Sequence, residues 1–354
     1  MSNAAQLDRR AVRSRVVRVG DLAIGDGLPV AVIGGHDARW LSLRGHRDGT
    51  PAGEVIRRAR ADWAGPLLVE PFSAADLEPI ARHADGVVVG AAWMQDFALV
   101  RAVARLGLPV VVQRGRGAAL EEWLAIADHC VAEGNDQVVL CESGGRRPQE
   151  GMPLDLALMR AARKRSGRPV IALIGEHSSI GEGSSIGEGS SIGEHSSIRG
   201  DSSLGEGDDG VLAAAAVAAG ADGLLLVPAA APAVVAAAHE AATVLAPLVR
   251  PEEPATLADA RAAIDRVDAA LATLLERRAA LAGTVQRLKP VGGFRGRDAE
   301  RERRLVAAMA RRAPRLGEHR LAPVMNAVIE AGLRLAEEER GDARLRSHGS
   351  PDPA

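Results

Sequence analysis

The chain has 354 residues, 47% apolar and 25% charged, enough for two hydrophobic cores or for one large barrel with a smaller partner, and too apolar for wholesale disorder. Its 44 basic and 46 acidic residues are interleaved and sum to a formal charge of -2, and with no Tyr and 2% aromatics it has neither the charge nor the stacking surfaces of a nucleic-acid binder. Cys130 and Cys141 are too few for a disulfide framework or a Cys-rich zinc site and read as core residues; with no apolar run read as long enough for a bilayer and no leader at the start, the expectation is a cytoplasmic protein with a small ligand and no membrane partner.

In chain order, residues 1–13 read as a flexible N-terminus, with Met1–Ala4 set aside as a cloning remnant. From Val30 onward, short β-branched runs alternate with longer segments of helical period. The runs are Val30–Ile33, Leu67–Glu70, Gly86–Val89, Val110–Gln113, Gln137–Cys141, Val170–Leu173 and Gly223–Val227. Continuously apolar strands, each followed by an Ala- and Leu-rich amphipathic stretch, mark a parallel sheet covered on both faces. Seven or eight such units over 14–250 suit a (β/α)8 TIM barrel better than an open sheet, which stays as the alternative.

Residues 174–209 break this grammar with six consecutive hexads: IGEHSS, IGEGSS, IGEGSS, IGEHSS, IRGDSS and LGEGDD. An aliphatic residue at every sixth position resembles the hexapeptide pattern of β-helices, but six hexads make only two coils. A polar, loosely ordered insertion is therefore preferred to a small β-coil, and His177, Glu182, Glu188 and His195 would hold a metal only weakly.

After Pro251 and Pro254 the period becomes helical throughout. Leu257, Ile264, Val267, Leu271, Leu274, Leu275, Leu281 and Val285 define one long helix; Pro290, Gly292 and Gly293 break it, a second helix starts near Asp298, and a third follows Pro323. Three such helices over 255–339 cannot enclose a good core alone, so helices of a second copy are expected, and a dimer is the minimum assembly. Residues 340–354 read as a disordered tail. Arg261, Arg278 and Lys289 lie along the first helix, and Asp298, Arg301 and Glu302 open the second. A cationic stripe of this kind is more often a solvated face than a site; the second cluster shifts the weight toward a site.

The segment ARAAIDRVDAALATLLERRAALAGTVQRLK, followed after a turn by RDAERER, resembles the all-helical chorismate mutases over 256–338. The resemblance implies a three-helix domain, an intertwined dimer, chorismate as substrate, prephenate as product and no cofactor. It places the family's first-helix cations on Arg261, Arg278 and Lys289 and its DxxRE trio on Asp298, Arg301 and Glu302. The third-helix donor falls within 336–338, on Glu337 or Glu338, and Glu337 is taken as the site residue. The chemistry agrees. Chorismate is a dianion that rearranges through a pericyclic transition state, so it needs preorganised charge rather than a nucleophile. Arg forks suit its two carboxylates, and Lys289 with a protonated Glu would stabilise the ether oxygen as its bond breaks.

Residues from about Val16 to Leu248 resemble the 3-deoxy-7-phosphoheptulonate (DAHP) synthases of the smaller microbial type, which implies the TIM barrel. The resemblance is carried by VVRVGDLAIGDGLPVAVIGG, VGAAWMQDFALVRAV, VVVQRGRGAALEEWLAIADHCVAEGNDQVVLCESGGR and VLAAAAVAAGADGLLLV. The catalytic letters depart from that family. His36 stands at its metal Cys, RGHRDGTP at its Lys-Pro-Arg-Thr loop, Ala92 at a phosphate Arg, Gln113 at a Lys and Val227 at a metal Glu, while Glu142 and Arg114 persist. Its Asp-Pro-Ser-His segment is reduced to Gly175-Glu176-His177. The expectation is a pseudoenzyme barrel without a divalent metal, serving as scaffold or regulator. Two readings remain beside it: a bifunctional synthase and mutase whose residual metal ligands are His36 and His177, and a non-catalytic assembly subunit.

Overall fold

A computed structural model describes residues 15–45, 49–144, 154–175, 206–289 and 294–348. The chain divides into two compact units, 1–267 and 268–354, with the division inside one helix.

The first unit is built on eight parallel strands in the order β3-β10-β9-β8-β7-β6-β5-β4. They are β3 (Ala31–Ile33), β4 (Arg39–Ser42), β5 (Leu67–Glu70), β6 (Gly86–Val89), β7 (Val110–Gln113), β8 (Val138–Glu142), β9 (Val170–Ile174) and β10 (Gly223–Leu226). A parallel bridge between Ile33 and Ala38 brings the two outer strands of that order together, so the sheet is a nearly closed barrel. Alternate side chains face in and out, yet both sets are buried. Leu68, Val88, Val111, Val139, Ile171 and Leu225 fill the inside, while Val69, Val87, Val110, Val112 and Leu224 pack under the helices. That double burial is why the strands read as unbroken apolar runs. An antiparallel hairpin, β1 (Val16–Val19) and β2 (Leu22–Gly25), adds Val17, Val19 and Ile24 to the inner cluster, and Val19 reaches Gly86 at the start of β6, so the hairpin plugs the N-terminal end.

Helices follow the strands: α1 (Ala52–Ala61), α2 (Leu77–His83), α3 (Phe97–Ala104), α4 (Leu120–Ala132), α5 (Leu156–Ser166), α6 (Glu206–Ala218), α7 (Pro232–Glu240) and α8 (Ala246–Val249). No helix stands between β3 and β4, where the chain crosses to the neighbouring parallel strand in residues 34–38. A parallel crossover normally takes a dozen or more residues. Here Gly34 N–H donates to Ala38 O at 2.8 Å, and Asp37 accepts from Val32 N at 2.7 Å. Gly34 sits at φ 94°, with Leu226 Cβ 3.0 Å from where its own Cβ would be. β4 and the hairpin are the strands that the apolar-run reading missed.

Three further expectations change. The hexad segment is shorter than 174–209, because Ile174 ends β9 and Glu206 begins α6; residues 176–205, including His177, lie outside the described residues, as do 1–14 and 349–354. Pro232–Val249, with mean hydropathy 1.5 over 18 residues, is long and apolar enough to cross a bilayer by length and composition, contrary to the sequence reading. In this fold it is α7, a turn of π-helix and α8, with Val234, Ala238, Ala241 and Ala246 packed into the barrel's outer core. The expected tail at 340–354 continues as helix as far as His348.

The second unit holds the rest of α9 (Leu257–Leu288), α10 (Ala299–Arg312) and α11 (Gly317–His348). α11 begins six residues before Pro323, which sits early in the helix instead of preceding it. Along α9, residues 264, 267, 271, 274, 281, 285 and 288 follow a 3-4 spacing broken once, where Arg278 takes the place between 274 and 281, and all of these apolar side chains are exposed in the single chain.

Asp222 organises the N-terminal end of the barrel. It is 1% exposed, accepts from Val170 N at 2.9 Å, and pairs with Arg250 at 2.8 Å and Arg163 at 2.7 Å, joining β9, β10, α5 and the chain after α8. Removing this carboxylate leaves two guanidiniums without their shared partner. Asp222→Ala is expected to destabilise the barrel by about 3–5 kcal/mol in a urea titration, and Asp222→Asn by less.

Candidate functional site

The helical unit contains a cavity of about 250 Å³ lined by Arg278 and Gln286 of α9 and Lys289 just after it, by Arg297, Asp298, Arg301 and Glu302 around the start of α10, and by Ile329 and Leu333 of α11. Five residues read from the sequence meet here: Arg278, Lys289, Asp298, Arg301 and Glu302. On α9 the cavity-facing positions 278, 282, 285 and 289 recur every three or four residues, as one helix face requires.

Each charge in the cavity is held differently. Asp298 is the N-cap of α10 and accepts from Glu300 N at 3.1 Å and Arg301 N at 3.0 Å, which keeps its carboxyl below the ordinary range. Glu302 is gripped by Arg297 at 2.6 and 3.0 Å, and that hydrogen bonding holds its carboxyl low as well. Lys289 Nζ donates to Gly296 O at 2.7 Å and so fastens the start of α10 to the end of α9. Arg278 reaches only a backbone oxygen, Val328 O at 3.4 Å; burial, and then the nearby positive charge of Arg301, push its guanidinium below the usual value. Among the described residues, Arg278, Lys289 and Arg301 form no salt bridge. The cavity therefore keeps three cations free while both its carboxylates are occupied.

Arg261 lies in the first unit and Glu337 does not line the cavity. Glu337 is four residues beyond Leu333, one turn further along α11 and only about 40° round, whereas Glu338 is turned about 140° away. Helical geometry thus favours Glu337 over Glu338. Ala336 is buried on the other side, where it lines a separate groove with Gly283 and Leu335. Arg297 and Gln286 were missed by the sequence reading. Arg297 precedes the N-cap, where no helical period assigns a face, and only its distance of five residues from Glu302 hinted at a pairing.

At the C-terminal end of the barrel, two of the described cations are paired with carboxylates. Arg114 forms a fork with Glu142, both contacts at 2.6 Å, and the pair is almost fully buried. Arg44 lies 3.6 Å from Glu70, whose buried carboxyl also accepts from Ser42. Gln113 accepts from Ala91 N at 3.1 Å, and the Trp40 indole donates to Leu226 O. His36 packs on His239 with ring centroids 4.7 Å apart; burial, then the neighbouring His36, lower the pKa of His239, and neutral His239 Nε2 accepts from His36 N at 3.4 Å. Among the described residues no three His, Cys, Asp or Glu stand together as a metal site.

Fold and site together define a two-part protein, a parallel barrel and a helical unit with an anion-receptive cavity. Residues 54–173 match the DAHP synthetase I family and residues 260–337 match chorismate mutase type II, so the chain carries a segment of each. It is similar to a phospho-2-dehydro-3-deoxyheptonate aldolase of Thermotoga maritima, 29% identical over 120 residues, which are 33% of this chain and 36% of that protein. It is also similar to a 2-dehydro-3-deoxyphosphooctonate aldolase of Acidithiobacillus ferrooxidans, 27% identical over 171 residues, 48% of this chain and 55% of the relative. The chain thus spans about a third to a half of these relatives. A solved structure, a truncated 3-deoxy-D-arabino-heptulosonate 7-phosphate synthase from Thermotoga maritima, shares the fold at 20% identity and a TM-score of 0.52, over 68% of this chain and 95% of that one.

Burial raises the Glu70 carboxyl above the ordinary range, against the opposing pull of Ser42 and Arg44. A carboxyl raised on folding stabilises at low pH and loses that contribution as pH climbs through its folded value. Glu70→Gln is expected to raise the thermal midpoint at pH 8 and to leave it nearly unchanged at pH 4.

Proposed function

We propose that the helical unit is a chorismate mutase, converting chorismate to prephenate, joined to a barrel that no longer performs aldol-type condensation. The observation that carries this is the cavity lined by Arg278, Lys289 and Arg301, none of which forms a salt bridge among the described residues. A dianion supplies the missing charge, and the rearrangement asks for no nucleophile, general base or cofactor. Arg278 and Arg261 of the partner subunit hold the two carboxylates as forks. Seventeen residues separate those arginines on α9, about 25 Å of helix, so the Arg261 that meets a given cavity belongs to another copy. Lys289 and Glu337 stabilise the ether oxygen, Glu302 accepts from the substrate hydroxyl, and Asp298 fixes the start of α10 and with it Arg301.

The exposed 3-4 stripe of α9 supports the dimer. So does the apolar groove of about 540 Å³ between α9 and α11, lined by Ala272, Leu275, Ala279, Ala327, Val328 and Leu335. A helix of the second copy fits both. For the barrel, a phosphorylated substrate needs unpaired cations, and Arg44 and Arg114 are already committed to Glu70 and Glu142. With Gln113 and Trp40 tied to the backbone, the barrel serves as scaffold or regulator and takes no divalent metal. The protein works in the cytoplasm in the shikimate-derived aromatic pathway, binding neither nucleic acid nor membrane; the reduced, buried state of Cys130 and Cys141 suits that compartment.

Chorismate loss followed by ultraviolet absorbance is expected to show turnover that Arg278→Ala and Lys289→Ala each lower about 10²–10³-fold. Glu337→Gln, whose amide still donates, should keep turnover, and Glu337→Ala should lower it. Phosphoenolpyruvate with erythrose 4-phosphate and Mn²⁺ should release no phosphate. An intact chain inert toward chorismate, or one that condenses the two phosphates, would overturn the assignment. Light scattering is expected to give a dimer that Leu274→Glu dissociates together with the activity.

A further inference from the structure

Arg297 is the residue just before the N-cap of α10, and its guanidinium is the hub of a small network. Nε donates to Glu302 Oε1 at 3.0 Å and Nη2 to Oε2 at 2.6 Å. The same Nη2 reaches Asn326 Oδ1 at 2.7 Å, and Nη1 lies 3.6 Å from Glu330, which in turn accepts from Asn326 Nδ2 at 2.9 Å. Glu302 is therefore gripped on both oxygens from the α11 side of the cavity.

That grip matters because of what else is near. Glu302 follows Arg301 in sequence and lines the same cavity as Arg278 and Lys289. A loose carboxylate in that position would fall onto one of three uncompensated cations and cancel the charge that receives an anion. A planar fork prevents this better than a point charge could, since it engages both oxygens in one geometry and fixes the plane of the carboxylate. The outer lone pairs of Glu302 stay open to a hydroxyl donor.

We propose that Arg297 is a positioning residue that sequesters Glu302, so that Arg278 and Arg301 stay free for an anionic substrate while Glu302 keeps the orientation that accepts its hydroxyl. The inference rests on the mutase reading given above and names the residue that keeps that site receptive. Arg297 touches no reacting atom; it acts through Glu302 alone.

The test is a double-mutant cycle of Arg297→Ala, Glu302→Gln and the double variant in the full chain. It is read in three ways: KM and kcat for chorismate, Kd for the product dianion prephenate by calorimetry, and thermal midpoint. With Glu302 present, Arg297→Ala is expected to raise KM and Kd about ten-fold or more with a smaller change in kcat, the mark of lost ground-state binding. In the Glu302→Gln background, where no carboxylate is left to stray, the same change should move KM and Kd less than about two-fold. Arg297→Lys should restore binding only in part. Equal losses in both backgrounds would overturn the proposal, because Arg297 would then act by itself or merely by tying α10 to α11, a role the thermal midpoint reports separately. Unchanged KM and Kd in Arg297→Ala would overturn it too. Should the wild-type chain bind prephenate without turning chorismate over, the Kd cycle still decides the role of Arg297 while the mutase reading falls; a chain that neither binds nor turns over sinks both.

Discussion

Two guanidiniums held near one another without a counter-ion set the terms for the helical unit. Arg278 is partly desolvated and feels the charge of Arg301, so the folded chain keeps an arrangement that it would relax if either arginine could swing to a carboxylate. Neither can: Asp298 is committed to the amides of α10, and Glu302 is committed to Arg297. The repulsion is sustained by contacts elsewhere, with Leu321, Met325 and Leu333 of α11 buried and Lys289 lacing the end of α9 to the turn before α10. Charge held in place in this way before any ligand arrives is the condition under which fixed charge is most effective.

The barrel solves the opposite problem. A buried or half-buried cation at its mouth that met no anion would be costly, and two among the described residues have a carboxylate beside them: Glu142 for Arg114 and Glu70 for Arg44. The two units thus treat the same currency of charge in contrary ways, one leaving cations open and the other closing them. Parallel strands with both faces buried need none of the mouth chemistry to stay folded. That independence leaves the letters at the barrel's mouth, Gln113 and Val227 among them, free of any duty in holding the frame together.

Much of this was legible in the sequence because burial writes itself in apolar letters. Seven of the eight parallel strands fall within about a residue of their apolar runs, and the second long helix starts beside Asp298 as expected, with Asp298 as its N-cap. β4 was not legible: its Arg39-Trp40-Leu41-Ser42 carries polar ends and has no helix before it, so neither composition nor alternation flags it. Arg297 was hidden for a related reason, since periodicity assigns faces only inside an element and this residue stands just outside one. The choice between Glu337 and Glu338 needed the actual phase of α11, which letters alone do not fix once Pro323 falls inside the helix. Arg261 could be named from sequence, but it lies in the first unit and does not line the cavity.

The five-residue step from β3 to β4 alters the barrel as an evolving object. In a complete ring each loop above the strands can lengthen, shorten or change letters with little effect on its neighbours, since a helix insulates it from the next strand. Here one joint has no insulation: a side chain at Gly34 would press on Leu226, and one at Gly35 would meet His239 Nε2 at 2.5 Å. Variation among descendants of this chain should accordingly flow around that joint, leaving two glycines as the fixed point of a ring whose other loops are free to drift.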